Sequence, residues 1–115
     1  MNATDPIHVM SITPHMHQYG THFKVELQGT DGSRQAIFDR PFDVGNQTWA
    51  ETLVDIPAGA SLRTTCTFSN TSNALVPYGG PFSGGEMCYG FVLHYPARAL
   101  DNGTRSLLGA RNSCL

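Results

Sequence analysis

The chain is predicted to be an all-β sandwich or barrel, and three observations carry that expectation. Twelve glycines and seven prolines are spread along 115 residues, so breakers recur too often for long helices. Short runs rich in Val, Thr, Phe, Tyr and Ile fill the gaps, the composition of strands. Thr21 to Gln28 alternates strictly, with Phe23, Val25 and Leu27 on one face and His22, Lys24 and Glu26 on the other, the period of a half-buried strand. No repeat or internal boundary is visible, and 115 residues suffice for one core but not two. Residues 1–115 therefore read as one domain, with 1–6 and 97–115 as flexible or peripheral ends.

Taken in order, Ile7 to Ile12 reads as a first strand ended by Pro14, and Thr21 to Gln28 as a second. Gly29 to Ser33 is a turn, Arg34 to Asp39 a returning strand. Phe42 to Asp55 holds a strand around Leu53 and Val54 with an irregular approach through Gly45 and Asn46. Ile56 to Ala60 is a tight turn leading to a strand over Ser61 to Ser69, where Leu62, Thr64, Cys66 and Phe68 share a face. Asn70 to Gly85 is a loop of sixteen residues containing six glycine or proline positions from Pro77 to Gly85; loops of that length in compact domains are more often functional than idle. Tyr89 to Tyr95 is the last clear strand.

Charge excludes some functions. Seven basic against nine acidic residues give a formal net charge of −2, with no run of like charge, which argues against a nucleic-acid or anionic-membrane surface. No stretch of eighteen apolar residues occurs, and the N-terminus lacks the basic-then-apolar layout of a signal peptide, as in a mature or trimmed segment. The cysteines are Cys66, Cys88 and Cys114; an odd count implies one disulfide and one thiol with a partner elsewhere. Sequons at Asn2, Asn46, Asn70 and Asn102 are short matches in an Asn- and Thr-rich chain.

The stretch that carries chemistry is Pro14-His15-Met16-His17. Imidazoles at i and i+2 of an extended backbone point the same way and form a ready ligand pair, but a metal needs at least a third donor. Met87, in Glu86-Met87-Cys88, is the best one. A thioether beside two imidazoles suits copper cycling between its cuprous and cupric states better than zinc or a hard cation; against this, filling a core gap is the usual work of Met. A Cys66 to Cys88 bridge would staple both ends of the Gly-rich loop and hold Met87 in place.

Pro-His-Met-His-x-x-Gly-x-x-Phe-x-Val, Pro-x-Gly at residue 57, Cys66, then Gly79-Gly80 leading to Glu86-Met87-Cys88 and a strand ending His94-Tyr95-Pro96 together resemble the C-terminal domain of copper type II, ascorbate-dependent monooxygenases. That family includes dopamine β-monooxygenase, peptidylglycine α-hydroxylating monooxygenase and bacterial relatives. The resemblance covers roughly residues 12 to 96. It implies a two-sheet antiparallel β-sandwich of jelly-roll type, with His15, His17 and Met87 as ligands of the substrate-side copper and Cys66 with Cys88 as a disulfide. It further implies one copper per domain, a small-molecule or peptide substrate, dioxygen, and a separate N-terminal domain whose copper is bound by three histidines and refilled by ascorbate. Without that half, turnover from this chain alone is not expected. A periplasmic or extracellular location follows from the same likeness. A further family disulfide would give Cys114 a partner upstream of His15, where this chain has no cysteine. The strands between Gln28 and Trp49 are shorter than in the animal enzymes, so substrate contacts do not transfer.

His22 reads as solvated, and His8 and His94 as ordinary hydrogen-bonded imidazoles, each a less favoured fourth ligand. Gln47 and Tyr89 are candidate orienting groups for the ligands, and Glu86 a carboxylate bonding loop backbone. Three rivals remain: a copper carrier or sensor without catalysis, a cupredoxin-like carrier using the Cys88-x5-His94 spacing, and a sandwich with incidental histidines.

Overall fold

The computed structural model describes residues 2–3, 5–80, 84–96 and 100–101. Eight strands follow one another: β1 (Asn2–Ala3), β2 (Ile7–His15), β3 (Gly20–Gln28), β4 (Arg34–Pro41), β5 (Ala50–Ile56), β6 (Ser61–Phe68), β7 (Tyr89–Tyr95) and β8 (Leu100–Asp101). They form a five-stranded sheet in the order β4-β3-β6-β1-β8 and a three-stranded sheet in the order β5-β2-β7. Every strand pairing is antiparallel. No helix occurs among the described residues, and the all-β sandwich expected from composition and alternation is what forms.

The core lies between the sheets. Ile7, Val9 and Ile12 of β2 meet Phe23 and Val25 of β3, with Phe38, Ile56 and Leu62 closing the sides. Phe23 is wholly buried and meets Phe38 edge-on at 5.8 Å between centroids. Gly90 of β7 lies across from it; a Cβ at that position would stand 3.2 Å from Phe23 Cζ. The absence of a side chain lets β7 approach β3 closely.

Strand bounds depart from expectation where pairing overrides local signals. β2 runs on through Pro14 to His15. Its pairing with β5 ends at Ile12 opposite Ala50, while β7 continues to Gly90 opposite Pro14 and Tyr89 opposite His15. One edge of β2 is therefore open at Pro14, where proline's missing N–H leaves no ladder bond unmade. The strand after Phe42 starts only at Ala50, because Asp43 holds the preceding turn through bonds from Gly45 and Asn46 N–H. At the other end, Gly59 at φ 81° lets Ala60 N–H reach the Pro57 carbonyl, a turn needing a left-handed residue. That turn clasps Ala3, whose N–H and carbonyl bond Ala60 and Gly59. Ala3 is thereby buried, in a two-residue strand too short to read from sequence. Asn102 and Cys114, with the question of that thiol's partner, lie outside the described residues.

Candidate metal centre

A register slip in β2 decides which way His15 faces. Pairing with both neighbours shifts between Val9 and Ser11; against β7 this is a β-bulge with one extra residue in β2, which reverses the alternation beyond it. Before the slip Ile7 and Val9 are buried, and after it Ile12, Pro14 and Met16 are. Without it, His15 would share the core-facing parity of Ile7. Met16 instead anchors the stretch: it is wholly buried, and a Cβ on Gly20 would lie 2.8 Å from it. The flanking imidazoles are left on the other side, 5.1 Å apart between centroids and edge to face.

Hydrogen bonds set the tautomer of both rings. His17 Nδ1 lies 2.9 Å from the Gly85 carbonyl. A carbonyl only accepts, so Nδ1 of the neutral ring carries the proton and Nε2 the lone pair. His15 Nδ1 lies 2.7 Å from Gln47 Oε1. That amide is oriented by its own Nε2, which donates to the Val44 carbonyl at 3.0 Å; Oε1 therefore faces the imidazole, and His15 too is protonated at Nδ1. Both Nε2 lone pairs remain for a ligand, the arrangement typical of metal-binding histidines.

The other half of the site comes from the end of the loop. Glu86 is 8% exposed, and each of its oxygens is committed to backbone. Oε1 accepts from His17 N–H and from Met87 N–H, and Oε2 accepts from Tyr19 N–H at 2.9 Å. What joins Met87 to the histidine pair is thus the backbone, held on one shared carboxylate oxygen. The loop itself is pinched shut by Gly79 N–H to Glu86 carbonyl, Gly85 N–H to Gly80 carbonyl and Glu86 N–H to Pro77 carbonyl. Gly85 is required there, since a Cβ would stand 2.7 Å from the Gly79 carbonyl oxygen. A disulfide joins Cys66 of β6 to Cys88, with Cα atoms 5.9 Å apart. It ties the five-stranded sheet to the entry of β7, and closure of the loop it spans is worth about 3 kcal/mol in the chain-entropy account.

Among the described residues no three His, Cys, Asp or Glu side chains converge on a metal position. Among the described residues a third donor to the pair would come from another residue type, and the donor chemistry present fits copper. Two imidazole nitrogens are available, the adjacent carboxylate is engaged by three backbone N–H groups, and a thioether is next along the chain. The remaining histidines are elsewhere. His94 pairs with Val9 and His8 with Tyr95, five or more residues along the strands from His15 and so roughly 17 Å away or farther. His8 Nδ1 contacts Asp55 at 2.6 Å, and His22 on the other sheet contacts Asp39. Burial holds the His94 pKa below the ordinary histidine value. Cys88, as half of a disulfide, has no thiolate for a cupredoxin-like site.

Gln47 bonds His15 as expected of an orienting group, whereas Glu86 bonds not loop backbone but the backbone of His17, Tyr19 and Met87. The Gly85 carbonyl and Tyr78 were not legible. A backbone acceptor leaves no residue-type signature, and Tyr78 reaches Tyr89 only because the loop folds back, their hydroxyls forming a hydrogen bond.

Comparison with known proteins identifies the chain's relatives. The family described as copper type II ascorbate-dependent monooxygenase, C-terminal domain, matches residues 2–107. The chain is also 28% identical over 93 residues to DBH-like monooxygenase protein 1 of Gallus gallus, covering 78% of the chain and 15% of that protein. The chain thus spans about a seventh of that relative's length.

Proposed function

The chain belongs to the copper type II ascorbate-dependent monooxygenase family, as its C-terminal domain, and from that premise we propose that it is the substrate-side half of a two-copper monooxygenase. In this reading His15 Nε2, His17 Nε2 and the Met87 thioether hold one copper ion. When bound, the copper supplies dioxygen activation for hydroxylation of a substrate C–H bond.

The chain's own residues do the positioning. Gln47 and the Gly85 carbonyl hold both imidazoles in the tautomer that offers Nε2. Glu86 fixes the backbone of His17 against that of Met87, and the Cys66–Cys88 bond holds the end of the loop that carries Met87. The observation that carries the proposal is the pair of adjacent imidazoles with both Nδ1 atoms committed to protein acceptors. A disulfide-bonded domain suits a periplasmic or extracellular location. The second electron, the ascorbate chemistry and a three-histidine copper domain belong to the rest of the parent enzyme, so the isolated chain is assigned copper binding without sustained turnover.

The test is isothermal titration of cuprous ion under anaerobic conditions. One site per chain is expected, weakened by roughly tenfold or more in Met87→Ala and in His17→Ala. Affinity unchanged in both variants overturns the ligand assignment. Steady ascorbate-dependent hydroxylation by the chain alone overturns the need for a second domain.

A further inference from the structure

The sheet edges of this fold differ in how they are protected. An edge strand presents unpaired N–H and C=O groups to any other chain, and natural sheets blunt such strands with charges, proline or short length. Three of the four edges are blunted in this way. β4 carries Arg34, Asp39, Arg40 and Pro41, β5 carries Glu51 and Asp55, and β8 is two residues long. β7 is the exception. Tyr89–Tyr95 is seven residues without Lys, Arg, Asp, Glu or Pro, and its strand partner among the described residues is β2, on one side.

Register shows which groups the β7 edge offers. Pro14 lies opposite Gly90 and has no N–H to give, so the two form the kind of pair that makes no bonds across the ladder. The N–H and carbonyl of Gly90 therefore point away from β2, and by alternation so do those of Val92 and His94. Tyr89, Phe91 and Leu93 turn theirs toward β2. The side chains of Phe91, Leu93 and Tyr95 stand on the outer face, 50%, 57% and 52% exposed.

This row is complementary to itself. A second copy turned about a two-fold axis through Val92 sets Val92 against Val92 and Gly90 against His94, all with backbone groups facing the seam. It also places Phe91 beside Leu93 and Tyr89 beside Tyr95. Side-chain pairs on the outer face are then aromatic or aliphatic, which favours antiparallel pairing, and no like charges oppose each other. Such an interface is isologous. The sheet that results has six strands and ends on both sides at β5, which carries Glu51 and Asp55, so association closes at two copies.

We propose that β7 is a dimerisation edge and that its partner is a second copy of this chain, paired antiparallel about Val92. Each end of the seam lies at a Tyr89, whose ring is 6.3 Å from that of His15, so the two candidate metal centres flank it. The pairing itself needs no metal and does not depend on the copper reading.

The test uses the full chain without metal. Sedimentation velocity over about 20 to 800 μM is expected to show a monomer–dimer equilibrium and nothing larger. Amide exchange followed by NMR at the two ends of that range reads the register. The N–H groups of Gly90, Val92 and His94 should exchange roughly threefold or more slowly at the higher concentration, while those of Phe91 and Leu93, already bonded to β2, should not change. Leu93→Lys and Phe91→Glu, both on the exposed face, are each expected to keep the chain monomeric across the range. Mixing the two variants in equal amounts should restore a dimer, because the introduced charges of opposite sign then face each other. A parent chain that stays monomeric, assemblies larger than two, or no dimer in the mixture overturns the proposal. Protection of Gly90, Val92 and His94 that is the same at every concentration also overturns it, by assigning the edge to another segment of the same chain.

Discussion

Glu86 accepts the backbone N–H of His17 across 69 residues of sequence, while its second oxygen takes the N–H of Tyr19. This contact joins the histidine segment to the end of the loop and makes a buried carboxylate a structural clasp rather than a ligand. Glu86→Ala strands three backbone donors, two of them on the segment that bears His17. A loss of about 3 kcal/mol in folding stability is expected, read from urea unfolding, together with weaker cuprous-ion binding. Glu86→Gln, which still accepts but lacks the charge, should lie between the two. Wild-type stability in Glu86→Ala would show that water replaces the clasp without cost.

Of the two imidazoles, the Gln47 amide bonds that of His15. Gln47→Leu removes the acceptor for Nδ1–H and frees the ring to rotate and change tautomer. Copper affinity should fall by about 10- to 100-fold, as for other groups that orient metal-binding histidines, while stability changes by less than about 1 kcal/mol at this partly exposed position. Nitrogen-15 NMR of the imidazoles gives a second check: wild-type His15 should be protonated at Nδ1 and the variant should populate both tautomers.

The Cys66–Cys88 bond spans the two sheets. Replacing both cysteines by serine is expected to cost about 3 kcal/mol and to weaken copper binding, because the residue next to Met87 loses its anchor. Chemical denaturation with and without reductant measures this; a reduced protein as stable as the oxidised one contradicts it.

His94 gives the chain a predictable acid limb. Its Nδ1 has no hydrogen-bond partner among the described residues, and burial lowers its pKa from the ordinary 6.5. The unfolded chain therefore takes up a proton at a pH where the folded chain does not, so stability from this group is complete above about 6.5 and falls as pH drops below it. In His94→Gln that part of the pH dependence should vanish, leaving a flatter profile between pH 7.5 and pH 5 in thermal unfolding. An identical slope in the variant assigns the acid limb to other groups.

What was legible in the sequence follows from how local each signal is. β3 shows its alternation because one face packs on Phe38 and Leu62 while the other meets water. β7 was bounded correctly because a glycine-rich loop precedes it and proline follows. The histidine pair stood out by spacing, yet its direction depends on the slip between Val9 and Ser11, for which sequence alternation has no counterpart. Pro14 looked like a strand end only because the open edge beside it is set by where β5 stops pairing. The Tyr78 contact and the Gly85 carbonyl belong to the folded loop and to backbone, which no residue pattern announces.

The central claim is that two imidazoles and one thioether hold a single copper ion. Copper K-edge X-ray absorption on the chain loaded with one equivalent of cuprous ion tests it directly. Two nitrogen scatterers and one sulfur scatterer are expected in the first coordination sphere, with the sulfur lost in Met87→Ala and one nitrogen lost in His15→Ala. A sphere without sulfur, or one that keeps its sulfur in Met87→Ala, contradicts the assignment.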